Sequence, residues 1–335
     1  MRNGLLLAVA LGGLSFAAQA QNEPVPLAKD PNCDRACLEG YMNRYLEAML
    51  NNEVSEDLFA RNARFTENGI ELPLGGEGLW YGMSGLDGYR FYVPDLETQQ
   101  VAMLGTVIEN MSNGGVNNGE GNNVGLSVRL KIRGGRITEV EQLVSRPDVQ
   151  LGGRGGGAGG RAGGAGGGGG FGNTGDSQRA MGEPHPVFLE ALPEEDRHTR
   201  EELVAAGNNY FTALARHDSQ GYYPFTEDCE RYENGMRTSA NCLEEFTGTG
   251  LNGMVDRIRD RRFVAADTER SIIFAFVFFD HYRINWTWQM AELFKIDKDG
   301  KIQRIEALFH QAPFGISSGW SSFEDSISEE IQSVR

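Results

Sequence analysis

Basic residues are in short supply in this chain. It has 31 Lys and Arg against 47 Asp and Glu, a formal charge of −16. A surface of that sign repels polyanions, so nucleic acid is not an expected partner. The one basic run, Arg257 to Arg262, is interleaved with Asp256 and Asp260 and reads as a solvated helix end with internal ion pairs. Beyond the first twenty residues no apolar stretch reaches the length needed to cross a bilayer, which leaves no membrane span after the leader. A glycine-rich phosphate loop between strand and helix, a serine nucleophile elbow and a His-rich metal spacing are all missing, so neither cofactor nor metal is expected.

What is present begins with a leader. Arg2, the apolar run from Leu5 to Leu14 and the small-x-small Ala18-Gln19-Ala20 read as a signal peptide over residues 1–20, which implies a periplasmic or secreted protein. Four cysteines in an exported chain read as two disulfides. The natural pairing is Cys33 with Cys37 and Cys229 with Cys242, because pairing across the halves would cross a flexible joint. Zinc at Cys33 and Cys37 is the alternative, and no nearby His or second Cys pair completes four ligands.

The joint is residues 152–175, which hold 16 of the 45 glycines and too little apolar surface to offset the entropy of ordering. On either side of it the chain says nearly the same thing twice. Tyr45-Leu46-Glu47-Ala48-Met49 precedes Phe65-Thr66-Glu67-Asn68-Gly69, and Tyr210-Phe211-Thr212-Ala213-Leu214 precedes Arg231-Tyr232-Glu233-Asn234-Gly235. Gly135-Arg136-Ile137 and Gly300-Lys301-Ile302 close the two copies alike, so whole domains are duplicated. Their expected limits are 31–147 and 184–320. Each opens with a helix, through Leu38, Tyr41, Tyr45 and Met49 in one and over Arg200 to Arg216 in the other. Asp30 or Asn32 is a candidate cap of the first. Further helices are expected over Ser55 to Ala60 and near Met254 to Arg262. Strands follow, 125–132 and 137–144, each alternating apolar with polar, in one copy and 271–280, 287–296 and 302–310 in the other. The reading is two α+β domains, each a curved antiparallel sheet over helices.

This layout resembles the SnoaL-like, nuclear transport factor 2-like superfamily, which includes the ketosteroid isomerases, twice over. The resemblance implies a cone-shaped fold around an apolar pocket and three working groups, which fall on Tyr210, Glu233 and Glu292 in the second domain. In the first they fall on Tyr45, Glu67 and Val128, so the third acid is absent there. A carboxylate in such a pocket is pushed toward neutral pKa, removes a proton beside a carbonyl, and leaves an enolate for Tyr210 and a protonated Glu292 to stabilise. Glu233 is then the expected base.

The strand from Ile272 is apolar on both faces, as one buried between layers would be, and ends on Asp280 and His281, of which only one can face inward. His281 is a candidate proton shuttle. Trp286 and Trp288 share parity with Glu292 and suit a flat hydrophobic ligand, with Asn234, Tyr45 and Glu67 as further candidate substrate contacts. Glu306 and His310 share the opposite parity to Ile305 and form a second acid and base if that face lines a cavity. The expected function is an exported, cofactor-independent lyase or isomerase for a small hydrophobic carbonyl or hydroxylated compound. Its rival is a non-catalytic ligand-binding module whose domains pair with each other or in a homodimer.

Overall fold

The computed structural model describes residues 33–86, 88–111, 119–147, 176–216, 223–247 and 255–332. The leader and the glycine-rich joint of the sequence reading lie outside them, as do Asp30 and Asn32. The first helix is instead capped by Asp34, whose side chain accepts from Cys37 N.

In the first half, α1 (Arg35–Leu50) is followed by β1 (Phe59–Glu67), β2 (Ile70–Glu71), α2 (Leu79–Gly82), β3 (Met83–Gly85), β4 (Arg90–Asp95), β5 (Gln100–Glu109), β6 (Asn122–Arg133) and β7 (Arg136–Ser145). The second runs through α3 (Asp176–Arg179), α4 (Pro186–Leu189), α5 (Arg200–Arg216), β8 (Phe225–Glu233), β9 (Met236–Ser239), α6 (Cys242–Thr247), β10 (Arg257–Asp267), β11 (Ile272–His281), β12 (Trp286–Ile296), β13 (Ile302–Pro313), α7 (Phe323–Ile327) and β14 (Ile331–Gln332). Each half builds one seven-stranded sheet, ordered β2-β1-β7-β6-β5-β3 with β4 also on β5, and β14-β10-β11-β12-β13-β8-β9. The fold is α+β, two sheets each with its own long helix. Both cysteine pairs close as disulfides, Cys33 to Cys37 and Cys229 to Cys242.

Strand β11 explains the layering. Ile273, Ala275, Val277 and Phe279 enter the core beneath α5, while Ile272, Phe274 and Phe276 enter a separate core with Phe91, Leu104 and Leu143 of the first half. The two sheets therefore pack back to back, and both faces of β11 are dry. Charged side chains are carried into the same seam. Arg262 meets Glu141 at 2.7 Å, Arg200 meets Asp95 at 2.9 Å and Arg35 meets Asp267 at 2.6 Å. The chain after β13 crosses back onto the first half, where Trp320 donates to Thr66 Oγ1 and lies beneath the guanidinium groups of Arg64 and Arg129.

Two sequence expectations fail here. Arg257 to Arg262 is the start of β10, and Arg259, Arg261 and Arg262 are buried. Arg259 pairs with Asp280 and Arg262 with Glu141, both from elsewhere in the chain, and only the Arg262 to Asp260 pair is internal, so the run is neither helical nor a solvated face. Ser55 to Ala60 makes a single hydrogen-bonded turn and then enters β1.

Candidate functional site

The parity of β8 turns Cys229, Arg231 and Glu233 toward α5. Register then does the rest. Ala307 of β13 stands opposite both Glu233 and Glu292, and Glu292 also faces Ala275 of β11. Small residues thus flank the acid, and the two carboxylates rise from strands about 10 Å apart. Arg231 fills the space between them. Its Nη2 lies 2.5 Å from Glu233 Oε1 and 3.4 Å from Glu292 Oε1, and its Nη1 lies 3.7 Å from Glu245 Oε1. Its Nε donates to the Tyr210 hydroxyl at 3.0 Å, and that hydroxyl donates to Glu292 Oε1 at 3.3 Å. Four aromatic rings, of Phe211, Phe225, Phe246 and Phe294, pack on Tyr210.

The cluster is nearly dry. Arg231 and Glu292 have 0% side-chain exposure and Glu233 1%, and solvent touches it at Glu245, 14% exposed on α6 beside the Cys229 to Cys242 disulfide. Burial pushes the Glu292 carboxyl up to about 7, with Arg231 pulling the other way and Glu233 adding to the rise. Burial also raises Glu233, against the pull of Arg231, and lifts Tyr210 well above its ordinary value. The second oxygens of Glu233 and Glu292 have no hydrogen-bond partner among the described residues. One cation among three acids leaves a surplus of negative charge, which protonation at Glu292 relieves.

Tyr210, Glu233 and Glu292 are thus brought together, around an arginine that the sequence reading missed. The signal was available: Arg231 shares the parity of Glu233 and occupies the place of Phe65 in the first copy. His281, Trp286 and Trp288 are elsewhere. His281 faces inward and Asp280 outward, onto Arg257, Arg259 and Thr287. Yet His281 lies six residues beyond Ala275, about 20 Å along the strand. Its ring sits 4.2 Å from that of Trp288, which stacks on Phe309 in turn, and Trp286 pairs with His281 across the sheet. Shuttle and aromatic wall belong to the far end of the cone and do not reach Glu292.

Asn234 is also spoken for. It adopts φ 46°, accepts from Phe309 N and Ser145 Oγ, and donates to the Phe309 carbonyl. Asn68, at φ 51°, makes the same pair of bonds to Val144. The asparagine of each Glu-Asn-Gly therefore pins the end of its strand to its parallel neighbour, a backbone role. Gly235 follows at φ 79°, where a Cβ would also strike the Ser177 carbonyl. Asn234→Ala is expected to cost about 3 kcal/mol through unsatisfied backbone groups and a strained left-handed alanine, read as a lower unfolding midpoint with the Glu292 environment unchanged.

The first half carries a different network on the same frame. Val128 stands opposite Gln142 as Glu292 stands opposite Ala307. The Tyr45 hydroxyl donates to Gln142 Oε1 at 2.7 Å, and Gln142 Nε2 donates to Glu67 Oε2 at 2.8 Å. Arg146 then joins Glu67 to Glu109 of β5, each at 2.8 Å. A third acid is present after all, supplied by another strand, and its arginine is 34% exposed. Glu306 and His310, the other acid and base pair of the sequence reading, lie in the seam. His310 bonds Gln289 Oε1 at 3.0 Å, and burial pushes its ring down to about 4.

The fold and this site define a tandem pair of cone-like α+β domains. A family described as a domain of unknown function (DUF8021) matches residues 196–309, within the second of them. No curated protein matches the chain. Among solved structures it is similar to a de novo designed protein with a curved β-sheet, at 17% identity and TM-score 0.27, covering 34% of this chain and 88% of that one. The epoxide hydrolase/cyclase-like enzyme SalBIII, which acts in pyran ring formation in polyether salinomycin, is 13% identical at TM-score 0.30, covering 34% and 97%. PrhC from Penicillium brasilianum is 15% identical at TM-score 0.26, covering 34% and 83%.

Proposed function

We propose that the second domain is a cofactor-independent acid–base catalyst, a lyase or isomerase for a small hydrophobic carbonyl or hydroxylated compound. The observation that carries this is Glu292. A fully buried carboxyl whose one oxygen meets Tyr210 and Arg231, whose other is unpartnered, and whose pKa is pushed up to about 7 exchanges protons at working pH. Glu292 takes the proton from the carbon beside the carbonyl. Tyr210 and Arg231 are the donors for the oxygen that gains charge, and Glu233, held at 2.5 Å, orients the arginine. The base of the sequence reading is thereby reassigned from Glu233 to Glu292. The substrate displaces the contact between Arg231 and Glu292, the longest hydrogen bond that the guanidinium makes within the cluster. Export to the periplasm or medium belongs to the same proposal, supported by the leader and by two disulfides.

The test is deuterium incorporation into flat ketones, 2-tetralone and 3-cyclohexenone, in D2O, followed by NMR. The expected result is exchange above buffer that Glu292→Gln lowers by about 10²-fold or more, with folding intact by circular dichroism. Equal exchange in wild type, Glu292→Gln and buffer rejects the catalytic reading. The rival, a domain that holds or assembles without turnover, then stands, favoured by the closure of the cluster around Arg231.

A further inference from the structure

A cleft of about 450 Å³ opens at the seam, far from the α5 core, on the outer face of the second sheet. It takes Tyr89 from the first half, Tyr232, Arg304 and Glu306 from the second, and the segment from Ala180 to Pro186 as its rim. Clefts between domains are where small molecules most often lodge. The floor is a fixed polar line. The buried Tyr89 hydroxyl donates to Glu306 Oε2 at 2.5 Å, Arg304 Nε donates to Glu306 Oε1 at 3.1 Å, and Arg304 Nη1 donates to Glu230 Oε2 at 3.0 Å. The Arg304 guanidinium lies 4.2 Å over the Tyr232 ring.

Counting charge decides the ligand. Arg304 is held between two carboxylates, Glu230 and Glu306, Arg237 of β9 also reaches Glu230 at 3.3 Å, and the rim adds Glu183, so two cations face three acids. Among the described residues, the other titratable side chains on the lining are Tyr89, Tyr232 and His185, and the His185 Nδ1 already accepts from Val187 N. An anion would therefore meet surplus negative charge at close range, on a chain whose formal charge is −16. A cation is drawn in. Met181, Pro184 and Pro186 line the remaining wall, and a tyrosine face attracts cations as well as flat apolar groups.

We propose that this cleft is a binding site for a small organic cation, an amine on a flat apolar body, with the ammonium against Glu306 and the body between Tyr232 and the proline rim. It shares no residue with the Glu292 cluster, so the two readings stand or fall separately.

The experiment is titration calorimetry of the full chain with tryptamine, tyramine and phenethylamine, with indole-3-propionate as the anionic match, at low and high salt. The expected result is saturable binding of at least one amine that weakens with salt and falls about tenfold or more in Glu306→Gln and in Ala180→Trp, with no binding of indole-3-propionate. Ala180 is exposed, so the tryptophan fills the cleft without disturbing a core, and it keeps the test decisive if Glu306→Gln does not fold. Binding of the carboxylate as tightly as the amines, amine binding untouched by Ala180→Trp, or no binding of any of the three amines overturns the proposal.

Discussion

Arg231→Met is expected to destabilise the protein by about 3–5 kcal/mol at pH 8, the usual cost of stranding buried charges by removing their partner. Three carboxylates, Glu233, Glu245 and Glu292, lose their shared cation, and the first and last have essentially no water to turn to. The loss is expected to shrink in acid, and the sign follows from the direction of the shifts. Burial already raises Glu292 to about 7 and raises Glu233 above its ordinary value. A carboxyl held above its unfolded pKa stabilises the fold most below the unfolded value, near 4.5, and loses that stability as pH climbs through the folded value. Wild type therefore weakens between about pH 4.5 and 7, by an amount on the order of 3 kcal/mol for Glu292 alone. Arg231→Met extends that window upward. Urea midpoints from pH 5 to 8 read both effects, and Arg231→Met with Glu292→Leu is expected to recover the part of the loss that belongs to Glu292, while Glu233 stays buried without its cation. A pH-independent loss in Arg231→Met, or no recovery in the double variant, contradicts this electrostatic account.

Much of the fold was legible because periodicity carries it. The limits of α5 follow from a helical pattern, those of β6 and β7 from alternation and those of β11 from a continuous apolar run, to within a few residues. What misled was charge. Cys229-Glu230-Arg231-Tyr232-Glu233 puts charged residues on both faces, so charge alone does not say that Arg231 and Glu233 are the buried set. Arg257 to Arg262 misled for the same reason, since Asp280 and Glu141, which hold Arg259 and Arg262 in the buried sheet, are distant in sequence. Adjacency was the second trap. His281 ends the strand that holds Ala275, and its place beside Asp280 made it look like part of one site. Register places it six residues away. The third acid of the first half, Glu109, lies on β5, away from the position of Val128, and meets Glu67 through Arg146.

The seam ties the two halves together through buried charge as well as apolar packing. Glu141→Ala is expected to cost about 3 kcal/mol, because that buried carboxylate holds Arg262 from the other half with both oxygens, at 2.7 and 2.8 Å, and Arg129 from its own at 3.3 Å. The arginines are not left wholly bare. Arg262 keeps Asp260 at 3.2 Å and Arg129 keeps Glu139 at 2.8 Å, which places the cost at the lower end for a broken buried pair. Around this pair lie Phe274, Phe276, Leu293 and Leu308 from one sheet and Phe91, Leu104 and Leu143 from the other. A seam so apolar cannot open without exposing both sheets, so the two halves are expected to unfold in one transition despite the glycine-rich joint between them. Urea unfolding of wild type and Glu141→Ala, followed by tryptophan fluorescence and circular dichroism together, checks this. Coincident curves that shift as one with the substitution are the expected outcome. Two separated transitions in wild type, or no shift in Glu141→Ala, would show that the halves are held by the joint rather than by their packed sheets.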